Sequence, residues 1–174
     1  MNGDPIRLIA VIAVGLPLLV CAIPALAADW ERYANPRFGT SAEVPVDGFA
    51  PDPAPENGDG QGWTSTDGKG QILVFGSFII VAETFDGYRN FQMSAAQEDG
   101  LDVTYSAGGK NWYTFSGTHG DDIIYEKAVL SRDCSTPIAN HIYLKYPANQ
   151  RARYDPIIRR MAKSLRGGRS EACE

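Results

Sequence analysis

The feature that most constrains this chain is its start, where a long apolar stretch ends in small residues. Residues 8–27 contain no charged side chain, and residues 25–27 form a small-x-small triplet of Ala, Leu and Ala. This arrangement is typical of a secretory signal peptide, whose peptidase accepts only small side chains at those two positions. The sequence therefore predicts a signal peptide over residues 1–27, and a mature chain of residues 28–174 that is periplasmic or secreted.

The leader has two alternatives to cleavage, a membrane-spanning helix and lipid attachment. About 20 apolar residues can also span a bilayer, and residues 18–21 faintly resemble the lipid-attachment box that precedes a lipidated cysteine. Pro17 and Pro24 disfavour a spanning helix, and the β-branched Val20 disfavours lipidation of Cys21, because that box needs a small residue there. We therefore expect no stable membrane insertion after the signal is cleaved.

Two cysteines, Cys134 and Cys173, remain once the leader is removed with Cys21. In an exported protein an even pair of cysteines predicts a disulfide, with two free thiols as the alternative. The bond would close a loop of about 40 residues and stabilise the fold by about 4 kcal/mol on the chain-entropy model. The chain has no Cys-x-x-Cys spacing of the redox or zinc type.

The mature chain is the length of one domain and carries its charge unevenly. The full sequence has a formal net charge of −5, which divides into −10 over residues 28–144 and +5 over residues 145–174. An acidic body opposes general nucleic-acid binding, since that requires many cations against the phosphates. We interpret the basic end as the solvated face of a helix.

Apolar patterning predicts an antiparallel sheet packed by helices, class α+β. A helix over 85–99 begins after the N-cap Thr84 and ends at Gly100. The final helix has Tyr154, Ile157, Ile158, Met161 and Leu165 on its inner face. Residues 45–62, with four prolines and several glycines, are predicted to be a loop. Strands are predicted at 38–44, 63–66, 71–78, 101–106, 111–117, 122–131 and 139–146, and the strand at 71–78 should be covered on both faces.

Two loop motifs resemble ligand sites but lack essential residues. Residues 62–69 superficially suggest a phosphate loop, yet the glycine spacing is wrong and Gly70 stands where Ser or Thr is required. Asn57, Asp59, Gln61 and Gly62 match the first positions of a calcium loop, but Gly68 replaces the bidentate glutamate at its end. Ordinary turn chemistry is favoured at both places, and no cofactor or metal is predicted.

The sequence also gives only weak indications of a catalytic site. Ser116, His119 and either Asp121 or Asp122 are residue types of a hydrolytic triad, but so tight a turn rarely sets the base between its two partners. His141 is predicted to be a surface residue on the polar side of its strand, and two histidines do not make a histidine-rich metal site. No catalytic residue is predicted.

Several aromatic side chains have two possible fates, core packing or an aromatic binding surface. Core packing is favoured, because large aromatic rings bury a large apolar area each and are commonly found in cores. The set comprises Trp30, Trp63, Trp112, Tyr33 and Tyr113.

A resemblance to a known family comes from four stretches taken together. They are residues 33–39, Tyr-Ala-Asn-Pro-Arg-Phe-Gly; the proline loop 51–60; residues 111–117, Asn-Trp-Tyr-Thr-Phe-Ser-Gly; and Tyr146-Pro147 followed by Tyr154-Asp155-Pro156. The chain resembles the PsbP/Mog-type domain family, particularly its small exported bacterial members of unassigned function. That resemblance implies an α/β/α sandwich with a central, mainly antiparallel sheet. It also implies a non-enzymatic adaptor, because relatives bind a photosystem complex or a small GTPase.

The function hypothesis is thus an exported binding module without a cofactor, whose partner is another protein of unknown identity. Two alternatives remain open. One is a small periplasmic hydrolase that uses the Asn57–Gly62 loop or the turn at His119, and the other is a calcium-dependent structural protein.

Overall fold

The computed structural model describes residues 29–132 and 134–173, so the predicted signal peptide lies outside the described residues. These ranges form ten strands and two α-helices. The strands are β1 (Trp30–Ala34), β2 (Thr40–Pro45), β3 (Phe49–Pro51), β4 (Gly60–Ser65), β5 (Gln71–Phe78), β6 (Asp102–Gly109), β7 (Trp112–His119), β8 (Asp122–Ser131), β9 (Ile138–Pro147) and β10 (Arg166–Gly167). The helices are α1 (Phe85–Glu98) and α2 (Arg151–Ser164).

Seven of these strands form one antiparallel sheet in the order β3-β4-β5-β9-β8-β7-β6. Strands β3, β4 and β5 form one block of the sheet, and β6 to β9 form a meander. The two parts join where β5 pairs with β9. A smaller antiparallel sheet, β1-β2-β10, lies beside it. Gly76 allows the close approach of the two sheets, since a Cβ there would overlap Phe38 and Thr40.

Helix α1 begins and ends where its sequence predicts. The Thr84 hydroxyl accepts a hydrogen bond from the Gly87 amide at 3.0 Å, which satisfies one of the open donors of the first turn. At the other end Gly100 has a φ of 97°, a conformation that favours glycine, and the Leu101 amide closes the helix on the Ala96 carbonyl at 2.9 Å. Its buried residues are Phe85 and Tyr88.

Helix α2 begins three residues earlier than its apolar pattern predicts and packs against β2 and β9. Tyr154, Met161 and Leu165 are buried, whereas Ile157 and Ile158 are half-buried. The basic residues on its other side are exposed. The predicted orientation of this helix is therefore confirmed, with the isoleucines nearer the edge of the contact than expected.

Two apolar cores lie on opposite faces of the large sheet, which makes the layers α/β/α and confirms the predicted class. One core joins α2 and β2 to Ile72, Val74 and Ile142. The other joins α1 to Tyr113, Phe115 and Ala128. Neither of the two described helices is long and apolar enough to cross a membrane.

Two predictions about the first half of the chain need correction. Residues 45–62 are not one loop, because Phe49–Pro51 pairs with β4, whose strand begins at Gly60. Strand β5 is interior, but Leu73 and Phe75 stay half-buried. The reason is that α1 packs on β6, at the other end of the sheet.

Candidate functional site

A cleft of about 660 Å³, lined mainly by charged side chains, lies between α2 and the small sheet. We call it the basic cleft. Five of its eight lining residues are cations and one is a carboxylate. The lining consists of Arg32, Glu43, Pro156, Arg159, Arg160, Lys163, Ser164 and Arg166.

The basic cleft follows from the periodicity of the chain. Arg159 and Lys163 are four residues apart on α2 and share one face, with Arg166 just beyond the helix end. Arg32 comes from β1 and Glu43 from β2, which faces α2. The Glu43 amide donates to the Ser164 hydroxyl at 2.9 Å, which fixes the strand to the helix. The cations are thus mounted on rigid elements.

Arg160 is the most constrained cation of the basic cleft. Its Nε lies 2.7 Å from Glu43 Oε2, and its guanidinium carbon lies 4.4 Å from the centre of the Trp30 ring. The hydrogen bond with Arg160, and then its charge, hold the pKa of Glu43 below its usual range. Within the described residues, no ion pair neutralises Arg159, Lys163 or Arg166. The cleft is therefore open to an anionic group from outside.

His141 is the clearest error of the sequence prediction. It is fully buried, not a surface residue, because Tyr88 of α1 covers this part of β9. Its Nδ1 lies 3.1 Å from Glu126 Oε1 and its Nε2 lies 3.1 Å from the Tyr88 hydroxyl. The ring also stacks on Phe75 at 4.5 Å. Both ring nitrogens are thus engaged inside the protein.

The buried cluster around His141 extends to other polar groups. Tyr113 donates to Glu126 Oε1 at 2.9 Å, and Gln92 donates to the Tyr88 hydroxyl at 2.6 Å. Burial is the main reason that the pKa of Tyr113 and that of Tyr88 are raised. Both phenols therefore stay protonated and able to donate. A satisfied network of this kind fixes the register of α1 on the sheet.

One triplet in this cluster has the residue types of a hydrolase. Ser77 Oγ lies 3.5 Å from His141 Nε2, at the limit of a hydrogen bond, but only 2.9 Å from the Tyr88 hydroxyl. The phenol thus takes the place that a nucleophile must occupy beside the base. His141 also has no exposed surface on which a substrate could be reached.

The turn at His119, considered above as an alternative hydrolase site, is not assembled as one. Ser116 and His119 are three positions apart on β7, so their side chains point to opposite faces of the sheet. His119 Nε2 lies 3.1 Å from the Asp99 carbonyl oxygen, which ties it to the end of α1. Asp122 pairs with Lys145 at 3.3 Å. These contacts stabilise a turn and leave Ser116 without its base.

The Asn57–Gly62 loop is held by its own chain. The Asn57 side-chain amide donates to Asp59 Oδ2 at 2.8 Å, and Arg37 pairs with Asp59 Oδ1 at 2.7 Å. A cation of the protein thus stands where the calcium hypothesis would put the metal. Among the described residues there is no group of three or more His, Cys, Asp or Glu suited to a metal ion.

Four of the five aromatic residues considered above pack as expected. Trp63 and Tyr113 are buried, and Trp30 and Tyr33 are half-buried against the core. Trp112 is the exception, at 40% exposure.

Comparison with known proteins rests on structure alone. No family model matches the chain, and no curated protein matches it in sequence. The solution structure of cyanobacterial PsbP (CyanoP) from Synechocystis sp. PCC 6803 aligns with a TM-score of 0.59 and 13% identity, over 86% of this chain and 99% of that one. The Ran-binding protein Mog1p of Saccharomyces cerevisiae aligns with a TM-score of 0.55 and 10% identity, over 81% and 96%.

The chain has the PsbP/Mog-type fold. That result bears out the resemblance drawn from the sequence motifs, and at these identities it establishes the fold only.

The two cysteines that were expected to pair meet in the structure. Cys134 and Cys173 are joined in a disulfide, with Cα atoms 5.1 Å apart. The bond anchors the segment that follows β10. A disulfide suggests an oxidising environment of the kind that exported proteins meet.

Proposed function

We propose that the mature chain, residues 28–174, is a single exported PsbP/Mog-type domain that binds another protein through the basic cleft. The observation that carries this proposal is the convergence of five cations on one rigid cleft in a protein of net charge −5. Concentrated positive charge on an otherwise acidic molecule orients it toward an acidic partner surface and raises the association rate.

Protein is favoured over nucleic acid as the partner because of the charges outside the cleft. A long polyanion would have to pass close to a body of −10 over residues 28–144, while a compact acidic patch needs only the cleft itself. Glu43 also lines the cleft, and a carboxylate there opposes phosphate more than it opposes a mixed protein surface. The structural neighbour Mog1p, a Ran-binding protein, is an example of this fold used for protein binding.

The test uses the purified protein as bait in an extract of the compartment in which it accumulates. Arg159→Glu with Lys163→Glu reverses two cations of the cleft, whereas Lys69→Glu with Lys110→Glu makes the same charge change at exposed sites elsewhere. We expect one partner to be retained by the wild-type and control baits and lost from the cleft variant. Its elution should require only added salt, since exposed charges are screened within about 10 Å at 0.1 M.

Equal recovery of the partner by the cleft variant would show that binding uses another surface. Recovery of none by any bait, with purified protein that melts cooperatively, would count against the adaptor function itself.

A further inference from the structure

A second groove, of about 520 Å³, adjoins the basic cleft and has different chemistry. We call it the Trp112 groove. It lies between the end of α2 and strands β7 and β8, and it shares Lys163 and Arg166 with the basic cleft. The lining consists of Asn111, Trp112, Lys127, Val129, Leu130, Ala162, Lys163, Leu165, Arg166 and Gly167. The two concavities therefore meet along one cationic ridge.

The exposure of Trp112 has a cause in the arrangement of layers. Helix α2 packs on β2 and β9, so that no other element of the described residues covers the same face of β6 and β7. Tyr105 stands on this face, opposite Ser116 in the register, and is 55% exposed. Trp112 is four residues from Ser116 on β7 and so shares its face. An indole left open beside an apolar wall is a common anchor point in protein interfaces.

Lys127 gives this groove a fixed positive end. Its Nζ donates to the Ala162 carbonyl at 2.8 Å and lies 5.7 Å from the centre of the Trp112 ring. Burial, and then the nearby charge of Arg166, lower its pKa from the usual lysine value. The side chain is thus held against both α2 and the indole, so it does not need to be ordered when a ligand arrives.

Charge and shape together define what fits. The basic cleft favours carboxylates, and the adjoining groove offers an aromatic ring and the partly exposed apolar side chains of Val129 and Ala162. A segment that carried only acidic residues would leave the groove filled with water. An apolar side chain bound there would displace that water from the apolar surface.

We propose that the partner presents an acidic segment with one large apolar side chain, and that this side chain packs against Trp112 while the carboxylates meet Arg159 and Lys163. This inference rests on the proposed function and makes it specific. Recognition is then by a short peptide segment across the Lys163–Arg166 ridge rather than by charge alone.

Selection from a random peptide library on the purified protein tests this without knowledge of the natural partner. We expect the enriched peptides to combine at least two acidic residues with one Trp, Phe or Leu at a fixed spacing. Replacing that apolar residue by Ala in a selected peptide should weaken binding to wild-type protein about tenfold in fluorescence polarisation, as loss of an anchor usually does. This measurement needs no protein variant, so it does not depend on how substitutions fold.

A double-mutant cycle assigns the anchor to its groove. Trp112→Ala should weaken binding of the selected peptide to a similar degree. On that protein variant, the Ala substitution in the peptide should cause little further loss of affinity. Tyr105→Ala removes an exposed ring on the same face outside the groove and should leave affinity unchanged.

The other outcomes separate this inference from the function on which it rests. Enrichment of acidic peptides with no apolar position would overturn the anchor and leave the acidic partner standing. Enrichment without acidic residues would overturn both. If the protein alone sediments as an oligomer that Arg159→Glu dissociates, the occupant is a second copy and the peptide proposal is wrong.

Discussion

Removing the hydroxyl of Tyr154 should stabilise the protein, although the residue is fully buried. Its ring stacks on Tyr146 at 4.4 Å and meets the edge of Phe49 at 6.0 Å. Its hydroxyl, pressed against Gly70, has no hydrogen-bond partner among the described residues. An unsatisfied buried polar group costs about 1–3 kcal/mol. Tyr154→Phe keeps the ring contacts and removes that cost, so we expect the free energy of unfolding to rise by about 1 kcal/mol.

Tyr113→Phe is the matched control, because Tyr113 is equally buried but donates to Glu126. It should lower the free energy of unfolding by about 1.5–3 kcal/mol, the usual contribution of a hydrogen bond to a charged group. Urea denaturation measures both changes. With a slope of about 2 kcal/mol/M, Tyr154→Phe should raise the midpoint by about 0.5 M at an unchanged slope.

Opposite signs for the two variants are the decisive result. If Tyr154→Phe destabilises the protein as much as Tyr113→Phe does, the Tyr154 hydroxyl has a partner, such as a buried water, and is not an unsatisfied group. Tyr154→Ala checks that the ring itself matters, with an expected loss of about 3–5 kcal/mol.

Three further predictions concern the ends of the chain and its charge. Intact mass of the exported protein should place the mature N-terminus at Ala28, and a retained leader would contradict the export hypothesis. Alkylation of the unreduced, denatured protein should find no free thiol at Cys134 or Cys173, and reduction should lower stability by about 4 kcal/mol. Hydrogen bonds from Ser65, and then from Gln150, hold the pKa of Asp67 well below its usual range. Asp67→Asn should therefore lower the free energy of unfolding at neutral pH. The difference from the wild type should be constant above about pH 5 and should shrink below about pH 4. A difference that is undiminished at pH 2 would contradict this prediction.

Sequence patterns predicted the elements that are long and periodic. The predicted bounds of helix α1, with its Thr84 cap, and of strand β8 agree with the structure almost to the residue, because alternation and capping are local signals. Strands β1, β3 and β10 were missed. The first has mixed polarity and the other two are only three and two residues long, so pairing partners define them rather than their own composition.

The candidate sites were less predictable because they depend on contacts between distant residues. The basic face of α2 was expected, but Glu43 reaches Arg160 across 117 positions and cannot be assigned to the cleft from its own neighbours. The predicted surface position of His141 was wrong for the same reason. Its strand neighbours suggested a polar face, while the residue that buries it, Tyr88, lies 53 positions away.

The pairing of β5 with β9 has a consequence for how the chain reaches its native state. Every other neighbouring pair of the large sheet joins strands consecutive in sequence, whereas Phe78 and Ile138 are 60 positions apart. Closing that loop costs about 3.6 kcal/mol of chain entropy before any contact repays it. We therefore expect the junction of β5 with β9 to form in the folding transition state and to set the folding rate, with the edge strand β6 completing the sheet afterwards. Val74→Ala should slow refolding, whereas Val103→Ala in β6 should mainly accelerate unfolding, as stopped-flow measurements with urea would show.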